Sequence, residues 1–332
     1  MRAGNEAGRR RDVGHGARRR VAGAIIATGA LALVLAAPAL AAAPRVTTGA
    51  ASAITFQSAT LSGTVNPSGS ATVVYYQFGT TSKYGAQTAP DQLAAGTARV
   101  TVSLGASGLA PNTVYHFRVV ATNASGTTLG ADKTFTTAKI PLSLATTAVP
   151  NPVPYGAPVT IEGTLSGTGS AGRAVQLQAT PFPYTAGFAN VGNPELTLAT
   201  GSFAFNVLGA AQTTQYRVVT VNGAVVSGAL TVPVSVDVTL HAQSTGSHRH
   251  PAIHFTGTIA PAEPSARIAV ERLIGKSWKV VAGTIAHANT VNGVVTYGLT
   301  AHTSGGFFRT LVLPVEGGHV SGYSQVALVR TH

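Results

Sequence analysis

An alternation of apolar and polar residues, with glycine at its third inward place, occurs three times in this chain. It reads ATLSGTV at 59–65, VTIEGTL at 159–165 and IHFTGTI at 253–259. Residues two apart on a strand share a face. Ala59, Leu61, Gly63 and Val65 therefore point one way in the first copy. Val159, Ile161, Gly163 and Leu165 do so in the second, and Ile253, Phe255, Gly257 and Ile259 in the third. Glycine on an inward face marks a bulge or a close approach to the backbone. A half-buried strand cannot stand alone, so each copy must belong to a larger sheet.

The residues after each copy extend the pattern. In the first unit Val74, Tyr76 and Phe78 alternate in VVYYQFG, and Val100, Val102 and Leu104 in RVTVSL. Tyr115, Phe117, Val119 and Ala121 follow in VYHFRVVATN, and Phe135 in KTFTT. NPSGS, SGLAPN and NASGTT mark the turns. The second unit places Val175, Leu177 and Ala179 on one face and ends in TQYRVVTV and SGALTVPV. The third repeats that ending as GFFRTLVL and VSGYSQVALV. Val, Thr, Gly and Ser dominate after residue 44, a mix that favours strands and turns over helices. Three units of about 95 residues with about seven short strands each fit immunoglobulin-like sandwiches. The fold expected is all-β: three tandem immunoglobulin-like β-sandwiches. The boundaries expected are 1–43, 44–138, 139–234 and 235–332.

The leader carries Arg9–Arg11 and Arg18–Arg20, then the apolar run from Val21, then Ala39-Leu40-Ala41 as an A-x-A cleavage site. This is the form of a secretory signal peptide. The run is also long enough to remain as an uncleaved anchor, and the paired arginines leave the twin-arginine route open. The leader holds seven of the 22 Lys and Arg and two of the ten Asp and Glu, so 15 and eight remain, a formal +7. That charge fits weak attraction to anionic envelope polymers. No basic stripe interleaves with aromatic residues, so nucleic acid is not expected as a partner. Heavy use of Ala, Gly, Val and Arg fits a GC-rich bacterial genome. The chain has no cysteine, which removes disulfides, thiolate metal sites and thiol nucleophiles.

The stretch GLAPNTVYHFRVVATN, 108–123, resembles a fibronectin type III domain covering about 44–138. In that family Leu, Pro and Tyr precede the sixth strand, and the tyrosine hydroxyl bonds back to the backbone. The matching positions are Leu109, Pro111 and Tyr115. The family often carries tryptophan in the second strand, and Leu61 stands in its neighbourhood here. The second and third units resemble bacterial immunoglobulin-like repeats. The resemblance implies extracellular modules that space or bind, without catalysis. TTAKIPLSL and SVDVTLHAQ join the units without long Gly/Ser tracts. A stiff rod on the order of 100 Å is expected from strands rising about 3.3 Å per residue.

Several clusters carry chemistry as well as a structural alternative. SHRHPAIHF sets His248, His250 and His254 close together, a spacing open to zinc or copper, without a carboxylate or thiolate beside it. The same residues also read as a solvated strand entrance, with no metal. PFPYTAGF places Phe182, Tyr184 and Phe188 in a loop, where the rings can stack on sugars or pack locally. Trp278 follows a tight turn and is expected to pack across its hairpin. Asn123-Ala124-Ser125 has the form of a glycosylation acceptor. Asp91, Asp132, Glu162, Glu195, Asp237, Glu263, Glu271 and Glu316 are scattered over all three units. No paired-carboxylate, nucleophile-elbow or phosphate-loop pattern is present, so neither catalytic residues nor cofactors are expected. The function expected is that of a secreted or cell-surface, non-enzymatic spacer or adhesion module. The alternative is binding of a carbohydrate or envelope polymer through the aromatic loop. The partners expected are an envelope polymer, a polysaccharide or another surface protein, with membrane contact only through an uncleaved leader.

Overall fold

The computed structural model describes residues 42–247, 249–287, 290–291, 293–315 and 317–330. The signal-peptide reading falls on 1–43 and lies outside the described residues, save for its last two. Every regular element among the described residues is a strand. No described helix is long and apolar enough to cross a membrane.

The first sandwich pairs a three-stranded sheet with a larger one. Arg45–Ser52, Ser58–Asn66 and Val100–Ser107 make the smaller sheet. The larger is centred on Thr72–Gly79 and Val114–Asn123, edged by Ala86–Gln87, Asp91–Leu93, Gly126–Leu129 and Lys133–Thr136. The expected inward residues Leu61, Val65, Tyr76, Phe117 and Val119 form the core between them. Val100, by contrast, is exposed at the start of its strand. Leu61 is fully buried in that core. Tyr115 stacks on Phe135, and its hydroxyl accepts the Ala110 N–H at 2.9 Å, the backbone bond that the resemblance implied.

The second sandwich packs Ser143–Val149, Val159–Ser166 and Ser202–Val207 against a sheet of Ala174–Pro181, Ala189–Leu196, Thr214–Thr220 and Leu230–Val232. Ile161, Val175, Leu177, Phe205 and Val218 fill its core. In the third, a sheet built on Ile253–Ala260 and Val294–Ala301 faces one built on Arg267–Ile274, Ser277–Ile285 and Gly306–Leu313. Its core has two neighbouring parts, one around Ile259, Ile268, Tyr297 and Val312, the other around Phe255, Val270 and Phe308.

All three copies of the repeated phrase are strands with alternating burial. Their glycines answer to close approach. A Cβ on Gly63 would stand 2.7 Å from the Thr47 carbonyl oxygen and 2.9 Å from the Tyr76 hydroxyl. That hydroxyl, reaching over from the opposite sheet, donates to the carbonyl of Val102, the residue paired with Gly63, at 2.8 Å. At Gly163 a Cβ would meet the Ala145 carbonyl oxygen and the Phe203 ring. At Gly257 it would meet the Thr239 carbonyl oxygen and the Tyr297 ring. Phe203 and Tyr297 are the direct cross-strand partners of their glycines. The Tyr297 hydroxyl donates to Thr239 O at 2.6 Å and lies 2.8 Å from Thr310 Oγ1.

The sandwiches follow one another without slack. Ala138 N–H donates to Thr55 O of the first sandwich, and Ile140 N–H, two residues on, donates to Thr168 Oγ1 of the second. Val234 lies in the second core and Val236 in the third. Residues 317–320 then return to this junction. Val320 N–H donates to Val234 O at 2.9 Å, and Val236 N–H to Val320 O at 3.2 Å. His319 Nδ1 lies 2.6 Å from Glu263 Oε1 and Nε2 lies 2.8 Å from Ala211 O, and its ring meets the edge of Tyr155. Glu263 is buried.

Gly63→Ala and Gly257→Ala are expected to cost about 1–3 kcal/mol each through overpacking. Gly105→Ala, exposed and with open space around its Cβ, is expected to stay within about 0.5 kcal/mol of wild type; urea unfolding followed by fluorescence distinguishes them. Burial pushes the Tyr76 and Tyr297 hydroxyls up to about 12. Their contribution is therefore complete below pH 10 and is lost as pH rises from 10 through about 12, because the unfolded chain ionises first. Urea midpoints measured from pH 8 to 11.5 should fall above pH 10, and less steeply in Tyr76→Phe.

Candidate functional site: the outer face of the larger sheets

The alternation that buries Tyr76, Phe78, Phe117 and Val119 turns Gln77, His116 and Arg118 outward. Gln77 and Arg118 are cross-strand partners, and Arg118 Nε donates to Gln77 Oε1 at 2.9 Å. The guanidinium carbon lies 4.6 Å from the centre of the Tyr84 ring. Tyr84 stands in a left-handed conformation, φ 61°. Gly79 permits the turn, since a Cβ there would strike the Tyr84 backbone.

Tyr84 is held at its far end as well. Its hydroxyl donates to Asp132 Oδ1 at 2.8 Å, and His116 Nδ1 donates to Asp132 Oδ2 at 2.7 Å. The His116 hydrogen bond, foremost, and the Tyr84 hydrogen bond hold the Asp132 carboxyl below its ordinary value. Partial desolvation, and then the carboxylate, raise the Tyr84 hydroxyl. A shallow depression of about 380 Å³ adjoins the ring, lined by Gln77, Lys83, Tyr84, Gly85, Ala86 and Gln87.

The arrangement recurs in each sandwich. Arg217 Nε donates to its partner Gln178 at 2.8 Å, and its guanidinium covers Phe188 at 4.2 Å. Arg309 Nε donates to its partner Glu271 at 2.7 Å and lies between Trp278, at 4.4 Å, and Tyr323, at 4.2 Å. Cation–π contacts at such partly exposed sites contribute about 0.5–1 kcal/mol each. Reading only inward residues misses this feature. Its signal is an aromatic-Arg pair one residue out of phase with the core: Phe117-Arg118, Tyr216-Arg217 and Phe308-Arg309.

The structure distributes the aromatic-loop candidates among different contacts. Phe182 meets the Tyr184 ring edge-on at 5.6 Å and packs beneath Gly317 of the third sandwich. Phe188 lies under Arg217. Of the histidines, His248 lies outside the described residues. His250 is exposed, and its backbone bridges to Ser247. His254 faces out, as its register requires, with Nδ1 3.0 Å from Thr300 Oγ1. Among the described residues no group of three His, Cys, Asp or Glu is placed to hold a metal ion. Trp278 sits opposite Leu273 in its hairpin, as its turn predicts. Asn123 is buried, its amide donating to the carbonyls of Ala42 and Pro67. Glu162 and Glu195, far apart in sequence, come to one shallow depression with Leu196, Leu198 and Phe203.

No protein-family model matches the chain, and no curated protein sequence matches it. Solved structures similar to it include the chicken CNTN1 FN1–FN3 domains, 12% identical, covering 86% of this chain and 99% of that one, TM-score 0.28. A tetra-tandem repeat from the extending region of a large adhesion protein is 16% identical and covers 87% of this chain and 74% of that one, TM-score 0.26. The sensor domain of the anti-sigma factor RsgI4 from Pseudobacteroides cellulosolvens is 24% identical and covers 29% of this chain and 89% of that one, TM-score 0.23. At these identities and scores the function is argued from the chain's own residues. The fold is read from this chain's own sheets, which stack as successive two-sheet β-sandwiches.

The network around Tyr84 can be checked by carboxyl NMR. His116→Ala is expected to raise the Asp132 titration midpoint most and Tyr84→Phe less, following the order of their effects on that carboxyl.

Proposed function

We propose that the chain is an exported, non-enzymatic spacer or adhesion protein, with units near 44–138, 139–234 and 235–332. The observation that carries this is the locked passage between sandwiches. Two residues take the backbone from the second core to the third, and residues 317–320 bond to both sides. A chain whose task is to hold surfaces at a fixed separation needs such junctions; a flexible tether does not. The first unit is read as a fibronectin type III domain on its Tyr115 corner, the other two as bacterial immunoglobulin-like repeats. Export rests on the leader sequence. Packing of Phe182 under Gly317 makes the loop at 181–188 part of the junction, which favours the spacer over a sugar platform there.

Small-angle X-ray scattering tests the reading. The protein without its leader is expected to show a maximum dimension on the order of 100 Å, with a Kratky tail that falls back toward the baseline as for a rigid particle. His319→Ala, which removes the contacts to Glu263, Ala211 and Tyr155, is expected to raise that tail. A wild-type profile of independently moving beads would overturn the proposal.

A further inference from the structure

The surroundings of Arg118 are more ordered than a solvent-facing sheet needs. Exposed polar pairs add little stability, and fixing long side chains costs rotamer entropy. Yet Gln77 holds Nε, Tyr84 covers one guanidinium face, Asp132 anchors Tyr84, and His116 anchors Asp132. Tyr84 does this from a backbone conformation that non-glycine residues rarely adopt. Strain and a supporting shell at an exposed place mark side chains kept in position for use.

What is kept in position is a fork. Among the described residues Arg118 hydrogen-bonds only through Nε, leaving both Nη groups for a ligand. The planar Nη edge suits a carboxylate in two parallel hydrogen bonds. Gln77 and Tyr84, the two side chains that hold Arg118, also line the depression of about 380 Å³, within the range of roughly 300–1,000 Å³ for small-ligand clefts. Lys83 supplies a second cation at its wall, and Gln77 and Gln87 supply amides. Gly85 and Ala86 keep that wall low. Residues 42–138 carry Arg45, Lys83, Arg99, Arg118 and Lys133 against only Asp91 and Asp132, and Asp132 is already engaged by Tyr84 and His116.

We propose that this face of the first sandwich binds an acidic polysaccharide. A uronate carboxylate enters the Arg118 fork beside Lys83, and sugar hydroxyls bond to the glutamine amides along the rim of Tyr84. The corresponding places in the other sandwiches differ. Arg309 has its charge matched by Glu271. Arg217 lies over Phe188, a ring with no hydroxyl to be anchored. Among the described residues the first sandwich alone combines the fork, the second cation and the Tyr84–Asp132–His116 support.

Calorimetric titration of the protein at physiological salt, with polygalacturonate, its methyl ester and inorganic polyphosphate, tests this. Polygalacturonate is expected to bind, and the neutral ester to bind at least about ten-fold more weakly, the loss of a charge-assisted bidentate pair. Arg118→Lys and Lys83→Ala should each weaken binding about ten-fold, while Arg217→Gln leaves it unchanged. Lys83 lies on an exposed turn, so that variant keeps the test alive if Arg118→Lys unfolds. No binding of polygalacturonate, equal binding of the ester, or equal loss from Arg217→Gln overturns the proposal. So does polyphosphate that binds as tightly with the same dependence on Arg118. Scattering profiles are independent of all these outcomes, so the spacer reading stands or falls separately.

Discussion

The structure depends on a gap left in one strand of each sandwich. Gly63, Gly163 and Gly257 have no side chain because a neighbouring carbonyl and an aromatic side chain occupy that space. The carbonyls belong to the chain just before each sandwich's central strand: Thr47, Ala145 and Thr239. The cover comes from Tyr76 on the opposite sheet in the first case, and from the cross-strand partners Phe203 and Tyr297 in the others. Close packing makes the gap and its cover one unit, since an interior at crystal-like density has no room for an extra methyl. The edge strand can then lie close to the core, and both sheets find their register.

The cover is polar at its tip in two of the three cases. Tyr76 and Tyr297 bury a ring and still satisfy the hydroxyl, one on Val102 O and the other on Thr239 O. A phenylalanine at those places would leave the carbonyls without that donor. Burial that raises these hydroxyls toward pH 12 is the same burial that shields the core beneath them. The Tyr115 hydroxyl, accepting from Ala110, applies this device at a sandwich corner. Aromatic residues thus both fill volume and close backbone hydrogen bonds, in a chain with few charged groups to do so.

Between sandwiches a different economy operates. The passage from Val234 to Val236 is too short to bend freely, and residues 317–320 close over it with backbone hydrogen bonds and the His319–Glu263 pair. Phe182 then packs under Gly317. Of the loop at 181–188, Phe182 thus packs at the junction, while Phe188 lies under Arg217. The exposed faces of the sheets, with their Arg–Gln or Arg–Glu pairs over aromatic rings, are where the molecule meets its surroundings.

The repeated phrase, its alternation and its glycine determined the strands and their inward faces, because burial on one side imposes a period of two on the residues themselves. Leu109, Pro111 and Tyr115 likewise carried the corner of the first sandwich. The outward Arg118, Arg217 and Arg309 were equally present in the chain, but their meaning was not. Solvent places no pattern on an outward position, and only cross-strand register brings Gln77, Tyr84 and Asp132 to Arg118 from 41, 34 and 14 residues away. Tertiary structure alone also set Phe182 beneath Gly317, and His319 against Ala211 and Tyr155. Those contacts depend on the angle at which two finished sandwiches meet, and no local periodicity encodes it.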